Sequence, residues 1–157
     1  MSNRPEVVHV LFICRGNLCR SPMGEALLRA RLEQEGLSDC VIVESAGYHD
    51  WAPFSREAHP FARRAVESLC GHDTLADHFA VAWTKEQVDR ATLILVAESY
   101  MRADFPPDRV LTMREFGGES GDPYGGDYEV FVECAEDIQR LVEAGMPRLR
   151  ALCRGSL

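Results

Sequence analysis

Hydrophobic residues follow two patterns along this chain, short unbroken runs and longer segments with helical periodicity. Short runs rich in β-branched residues are typical of strands buried on both faces of a parallel sheet. Such runs predict four strands, at residues 7–13, 40–45, 91–97 and 109–112. Helices are predicted at residues 22–34, at 60–70, after a capping box at 84–87, and from 127 onward. This alternation predicts an α/β fold with one domain over residues 1–157, a four-stranded parallel sheet and helices on both faces.

Capping residues predict where several of these helices begin and end. Ser21 is expected to be the N-cap of the first helix, with Pro22 at its first position. Gly71 is expected to close the second helix, and Asp127 to cap the start of the last one. Pro147 is expected to kink or end that last helix, unless a separate turn starts after it.

Composition and charge argue against several classes of protein. With 17 basic and 25 acidic residues among 157, the net charge is −8, which argues against binding to nucleic acid. No apolar run is long enough to span a bilayer, and the first residues do not form a signal peptide. The protein is therefore expected to be cytoplasmic and to have no membrane partner.

The six cysteines show none of the paired spacings of a zinc site, so no metal is expected. In a cytoplasmic protein most cysteines should be reduced. Cys40, Cys70 and Cys134 are therefore interpreted as small residues of the core.

Chemistry is expected where the first strand meets the first helix, at residues 14–20. The first N–H groups of a helix lack intrahelical acceptors and carry partial positive charge, so such junctions bind anions. Gly16 allows the loop to turn its N–H groups inward, and Arg20 can hold two phosphate oxygens at once. These surroundings favour the thiolate form of Cys14, which is the nucleophilic form.

The segment Cys14-Arg15-Gly16-Asn17-Leu18-Cys19-Arg20-Ser21-Pro22 resembles the phosphate-binding loop of the low-molecular-weight protein tyrosine phosphatases. The resemblance rests on Cys-x5-Arg followed by Ser-Pro, and it extends over nearly the whole chain. It implies hydrolysis of phosphotyrosine through a cysteinyl-phosphate intermediate, without metal or cofactor. The partner would be a phosphorylated protein substrate, and inorganic phosphate would be a product. The phosphate would be bound by the catalytic Arg20 and by Arg15, Gly16, Asn17, Leu18, Cys19 and Ser21.

A glycine-rich loop, residues 115–126, contains the expected general acid. Asp122 precedes Pro123 and Tyr124, and in the resembling family an Asp-Pro-Tyr in this region donates the proton to the leaving oxygen. Taken alone, Asp122 would also suit a turn. The resemblance further implies that Trp51 and Tyr124 lie on either side of the substrate.

The resemblance also implies a group of supporting residues. Ser21 would donate its hydroxyl to the sulfur of Cys14 while it caps the helix. Asn17 would be held by Ser45 and His78 from neighbouring segments, and these contacts would keep the loop in shape.

Cys19 would form a reversible disulfide with Cys14 on oxidation, which protects the nucleophile from over-oxidation in the resembling family. Two positions depart from the family pattern. Arg15 replaces an apolar or small residue and would add positive charge that favours acidic peptides. Gly125 replaces a second aromatic residue and leaves a more open wall.

Three other functions compete with this interpretation. An arsenate reductase on this fold needs two further cysteines near the cleft, and residues 93–104 contain none. A protein arginine phosphatase usually has a β-branched polar residue after the nucleophile, where Arg15 would repel a guanidinium. It is the first alternative, and a catalytically silent phosphate-binding or redox-sensing module is the second. The chain is expected to be a monomer or a weak dimer.

Overall fold

Four parallel strands form the centre of the molecule, as the hydrophobic runs predict. The computed structural model describes residues 7–50, 56–118 and 121–155. The strands are β1 (Val8–Cys14), β2 (Val41–Gly47), β3 (Leu93–Val96) and β4 (Val110–Thr112), in the order β2-β1-β3-β4. Since β1 is an inner strand with neighbours on both sides, its carboxyl end lies at the middle of one sheet edge. The predicted fold class is confirmed.

Helices cover both faces of the sheet. They are α1 (Arg20–Glu35), α2 (Pro60–Cys70), α3 (Lys85–Arg90), α4 (Met113–Phe116) and α5 (Tyr128–Cys153), with a 3₁₀ helix at Ser99–Asp104. On one face, Val10 and Phe12 of β1 pack in a core with α1, α2 and α5. On the other face, Leu11 and Ile13 pack with residues of α3 and the 3₁₀ helix. The alternation of side chains along a strand thus serves two cores.

Helix α1 lies close to β1 where the two elements flank the loop of residues 15–19. A Cβ atom at Gly24 would approach the ring of Phe12 to 2.7 Å, so the position has room for glycine only. This contact holds the start of α1 directly over the end of β1, and it therefore fixes the geometry of the loop between them.

Most of the predicted helix ends are confirmed. Gly71 follows α2 in the left-handed conformation with φ 87°, and Asp127 accepts a hydrogen bond from the N–H of Val130 at the start of α5. The capping box of residues 84–87 is also present. The prediction for Ser21 is wrong, because α1 begins at Arg20 and Cys19 occupies the cap position without a side-chain cap bond. The hydroxyl of Ser21 instead contacts the side chains of Cys14 and Asn17.

Two further predictions differ from the structure for local reasons. Helix α5 does not end at Pro147 but continues to Cys153, because the exposed Pro147 faces solvent while Met146 and Leu149 remain in the core. The loop predicted from residue 115 starts with the short helix α4, which has a capping box of Thr112 and Glu115. That Thr-x-x-Glu signal is present in the sequence.

The cysteine predictions hold only in part. Cys134 is a buried core residue, and Cys70 is half-buried with a free thiol. Cys40, however, forms a disulfide with Cys153, although 113 residues separate them in the chain. The prediction of Cys40 as a reduced core residue is wrong, because the fold brings the start of β2 against the end of α5.

Across the part of the chain that the structure describes, none of the helices is long and apolar enough to cross a membrane.

Candidate active site

The loop of residues 15–19 is held in shape by the side chain of Asn17. This residue has a φ of 60°, a left-handed conformation that asparagine tolerates better than most residues. Its amide nitrogen donates to the hydroxyls of Ser21 at 2.8 Å and of Ser45 at 3.0 Å, and its side-chain oxygen accepts from the N–H of Val81 at 3.0 Å. Ser45 in turn donates to Glu25 at 2.6 Å. Because Asn17 is fully buried, these bonds are shielded from water.

The carbonyl groups of the loop are bound by segments that surround it. The Nε2 of His78 lies 2.9 Å from the carbonyl oxygen of Asn17, to which it donates. The N–H of His59 donates to the carbonyl of Leu18 at 2.9 Å. Among the described residues, no acceptor is bonded to the backbone N–H groups of residues 15–19. Those N–H groups are therefore available to an anion, as in other anion-binding nests.

Cys14 ends β1 and its side chain is buried, with only 3% of the residue exposed. Its sulfur lies 3.0 Å from the hydroxyl oxygen of Ser21. When Cys14 is a thiolate, Ser21 must be the donor, because a thiolate has no proton to give. The same hydroxyl accepts from Asn17, so its orientation is determined by both neighbours.

A cleft of about 180 Å³ opens above this loop. It is lined by residues 14–16 and 18–20 from the loop, and by Arg56, Asp122 and Tyr124 from two other segments. The predicted loop residues Arg15, Gly16, Leu18 and Cys19 thus face the cleft. The side chains of Asn17 and Ser21 instead lie buried and bonded to each other.

Two arginines and two carboxylates meet at the mouth of the cleft. Arg20 is only 3% exposed, and its Nη2 lies 3.6 Å from Glu98 and 3.7 Å from Asp122. Arg15 donates to both oxygens of Glu98, at 2.7 and 2.9 Å, and lies 3.8 Å from Asp122. These contacts lower the pKa of Glu98, chiefly through the hydrogen bonds from Arg15 and against the effect of burial. The pKa of Arg15 is raised for the same reason.

Asp122 and Tyr124 form one wall of the cleft. The Oδ1 of Asp122 accepts from the N–H of Tyr124 at 3.1 Å, while its Oδ2 faces the two arginines. Tyr124 is 58% exposed, and its ring stands edge-on to His59, with 6.0 Å between ring centroids. His59 stacks on the buried Phe131 at 4.4 Å, so the wall rests on the core.

Cys19 lies in the same loop as Cys14, and both have free thiols. The pKa of Cys19 is strongly raised, first by burial and second by the negative charge of Cys14. The thiol of Cys19 therefore stays protonated at neutral pH. Its predicted redox role remains a prediction.

The structure brings together most of the residues that the sequence singles out, and it adds three. Trp51 lies outside the described residues. Glu98, Arg56 and His59 were not predicted. Glu98 follows β3 directly, and the carboxyl ends of parallel strands form the ligand-binding edge of such sheets, so its position in the sequence was a usable signal.

Within residues 7–50, 56–118 and 121–155, no three His, Cys, Asp or Glu residues are grouped as a metal site.

A cysteine next to a loop whose N–H groups can bind an anion, at the edge of a parallel α/β sheet, suits nucleophilic attack on a phosphomonoester. Residues 9–152 match the family described as low molecular weight phosphotyrosine protein phosphatase. The chain belongs to this family.

Individual relatives agree with this assignment. The chain is 32% identical over 153 residues to low molecular weight protein-tyrosine phosphatase A of Mycobacterium tuberculosis, which covers 90% of this chain and 89% of that protein. It is 32% identical over 146 residues to the protein-arginine-phosphatase of Bacillus subtilis, over 85% and 91% of the two chains. Among solved structures, the low molecular weight protein tyrosine phosphatase from T. tengcongensis matches with a TM-score of 0.81 and 30% identity, over 90% and 99% of the two chains.

Proposed function

We propose that this protein hydrolyses phosphotyrosine in protein substrates through a cysteinyl-phosphate intermediate. One observation carries the proposal. Cys14 lines the same cleft as Arg20 and the loop whose N–H groups have no acceptor among the described residues, with Asp122 3.7 Å from the buried Arg20. A nucleophile, an anion site and an acid thus meet at one point, which is what displacement at phosphorus needs.

In the first step the phosphate dianion binds to the loop N–H groups and to Arg20. The Cys14 thiolate attacks phosphorus, and an S–P bond forms as the P–O bond to the tyrosine ring breaks. Asp122 gives its proton to the leaving phenolate oxygen, so the product departs as a neutral phenol. Arg20 and the loop N–H groups stabilise the charge on the phosphoryl oxygens in the transition state.

In the second step water replaces the cysteine. Asp122, now a carboxylate, takes a proton from a water molecule whose oxygen attacks phosphorus. The S–P bond breaks, inorganic phosphate forms, and the electron pair returns to the sulfur of Cys14. Ser21 donates its hydroxyl to that thiolate over the observed 3.0 Å, which makes the sulfur a better leaving group.

Hydrolysis of phosphoarginine is the second candidate function. It is supported by the protein-arginine-phosphatase of Bacillus subtilis, which is as similar to this chain as the tyrosine phosphatase relative. The bonds between Arg15 and Glu98 also reduce the repulsion that Arg15 would exert on a guanidinium substrate. Tyrosine remains the first candidate because Tyr124 offers an aromatic surface beside the cleft.

The test compares initial rates on an aryl phosphate, a phosphotyrosine peptide and a phosphoarginine peptide, with EDTA present. Turnover of the first two that is lost in Cys14→Ser would support the proposal. Turnover of phosphoarginine alone would establish the second candidate. A protein that binds phosphate without turnover of any substrate would be a silent binding module.

The same proposal covers the cellular compartment, the oligomeric state and the domain organisation of the protein. The chain is expected to act in the cytoplasm as a monomer or weak dimer, with residues 1–157 as one phosphatase domain. Sedimentation of the purified protein over a range of concentrations tests the oligomeric state, and a stable dimer at low concentration would contradict it.

A further inference from the structure

Three arginines line the cleft, and among the described residues carboxylates pair with only two of them. Arg15 is held by Glu98 and Arg20 lies between Glu98 and Asp122. The side chain of Arg56 is exposed on the cleft wall and has no ion pair or hydrogen bond to any described residue. Its charge is therefore available to a ligand that occupies the cleft.

The backbone at Arg56 is held by neighbouring segments, although its side chain has no partner among the described residues. The N–H of Ala80 donates to the carbonyl of Arg56 at 2.8 Å, and the next residue, Glu57, forms an antiparallel bridge with Phe79. Glu57 does not neutralise Arg56, because its carboxylate pairs with Arg63 at 3.4 Å. Arg56 therefore lines the cleft from an anchored backbone position.

The positive charge of Arg56 affects the pKa of a nearby histidine. The pKa of His59 is lowered, first by burial and second by the positive charge of Arg56. Within residues 7–50, 56–118 and 121–155, no carboxylate pairs with Arg56 and offsets its positive charge. The whole chain carries a net charge of −8, so the positive charge of Arg56 at the cleft does not follow from the overall composition.

We propose that Arg56 binds a carboxylate next to the phosphorylated residue, so that the enzyme prefers substrates with acidic residues beside the phosphotyrosine. This inference rests on the proposed phosphatase function. Arg15 is the weaker candidate for this role, because its two hydrogen bonds to Glu98 already occupy its guanidinium. Recognition of an acidic flank is thus assigned to the arginine whose side chain has no partner among the described residues.

The test measures kcat/KM for two phosphotyrosine peptides that differ only in their flanks, Asp and Glu in one and Asn and Gln in the other. An exposed ion pair contributes up to ~1 kcal/mol, so the wild type should prefer the acidic peptide by about two- to fivefold. Arg56→Gln should remove this preference, and Arg56→Lys should keep part of it. High ionic strength should reduce the wild-type preference, because exposed charges are screened.

Two variants serve as controls. Arg148→Gln removes an exposed arginine from α5, far from the cleft, and should keep the full preference. Arg15→Gln should also keep it. Equal rates of the wild type on both peptides would overturn the inference and leave the phosphatase proposal intact. A preference that survives in Arg56→Gln, or that disappears in Arg15→Gln, would also overturn it. Failure to hydrolyse either peptide would overturn the tyrosine phosphatase proposal together with this inference.

Discussion

The guanidinium of Arg15 donates two hydrogen bonds to the carboxylate of Glu98, at 2.7 and 2.9 Å, across 83 residues of sequence. The same carboxylate lies 3.6 Å from the buried Arg20. Glu98 therefore pairs with two arginines. These differ greatly in exposure, since the side chain of Arg15 is 50% exposed and that of Arg20 only 3%. Because of this difference, removal of Glu98 and removal of Arg15 should lower the free energy of unfolding by different amounts.

Glu98→Ala should destabilise the protein more than Arg15→Ala. Loss of Arg15 breaks a partly exposed pair, which costs about 0.2–1 kcal/mol. Loss of Glu98 also removes a partner from a buried cation, which costs about 1–3 kcal/mol. Urea unfolding of the two variants and the wild type gives the free energies directly. Equal losses would mean that Glu98 contributes to stability through Arg15 alone.

Ser21→Ala should slow breakdown of the cysteinyl-phosphate more than its formation. The hydroxyl of Ser21 stabilises the departing thiolate, and a hydrogen bond to a charged group contributes about 1.5–3 kcal/mol, or about a tenfold to hundredfold effect on that step. Pre-steady-state measurements should then show a larger burst of phenol release. Ser45→Ala is the matched control, because Ser45 contacts Asn17 rather than the sulfur. A burst that is equally enlarged in both variants would contradict the role of Ser21.

Asp122→Asn should slow hydrolysis of aryl phosphates with poor leaving groups by about 100-fold or more, the usual contribution of a general acid. Activated aryl phosphates should be affected far less in the first step, because their phenolates leave without a proton. Rates across a series of substituted phenyl phosphates check this expectation. Asp127→Asn is a close control, since asparagine caps the start of α5 as well as aspartate does. Equal losses on all substrates would point to another acid.

Reduction of the Cys40–Cys153 disulfide should lower the free energy of unfolding. Disulfides typically contribute about 2–4 kcal/mol, with larger values for longer closed loops in the chain-entropy model. Unfolding of the oxidised protein should shift on addition of dithiothreitol, and Cys153→Ser should remove that shift. Cys70→Ser, which removes a free thiol, should leave it in place. A reductant effect that persists in Cys153→Ser would contradict the prediction.

Glu35 should contribute to acid sensitivity. Hydrogen bonds from Arg150 lower its pKa from an ordinary 4.5 to about 2, with further contributions from the charges of Arg150 and Arg31. A carboxyl with a lowered pKa stabilises the fold above its unfolded pKa, and this contribution is lost as the pH falls from about 4.5 towards 2. Glu35→Gln should therefore lose less stability than the wild type between pH 7 and pH 3.

Glu33→Gln is the control for that comparison, because Glu33 is exposed on the same helix. It should show the same acid-induced loss as the wild type. If Glu35→Gln were as sensitive to acid as the wild type, the bonds between Glu35 and Arg150 would not contribute to the pH dependence.

Local signals in the sequence were sufficient for much of the fold. Gly71 and Asp127 act on neighbours within a few residues, through a left-handed turn and a side-chain cap, so their roles could be predicted without tertiary information. The buried run of β1 and the start of α1 likewise predicted the anion-binding loop between them. These features depend on backbone hydrogen bonds that close over short distances in the chain.

Some residues had two possible local roles, and the tertiary structure decided which of the two each residue has. Ser21 was a plausible N-cap, but its hydroxyl lies between Cys14 and Asn17 and is used in that buried network instead of capping the helix. Pro147 stays within α5 because the residues that flank it in the core continue to pack.

The sequence by itself determined the sheet, the loop with Cys14 and Arg20, and the position of Asp122 in a glycine-rich segment. Only the tertiary structure decided that Arg15 is paired, that Cys40 is bonded to Cys153, and that Arg56 lines the cleft without a side-chain partner in the described part of the chain. The physical reason is distance along the chain. A charge or a thiol acts on whatever the fold brings within a few ångströms, and neither residue type nor spacing shows which distant residue that will be.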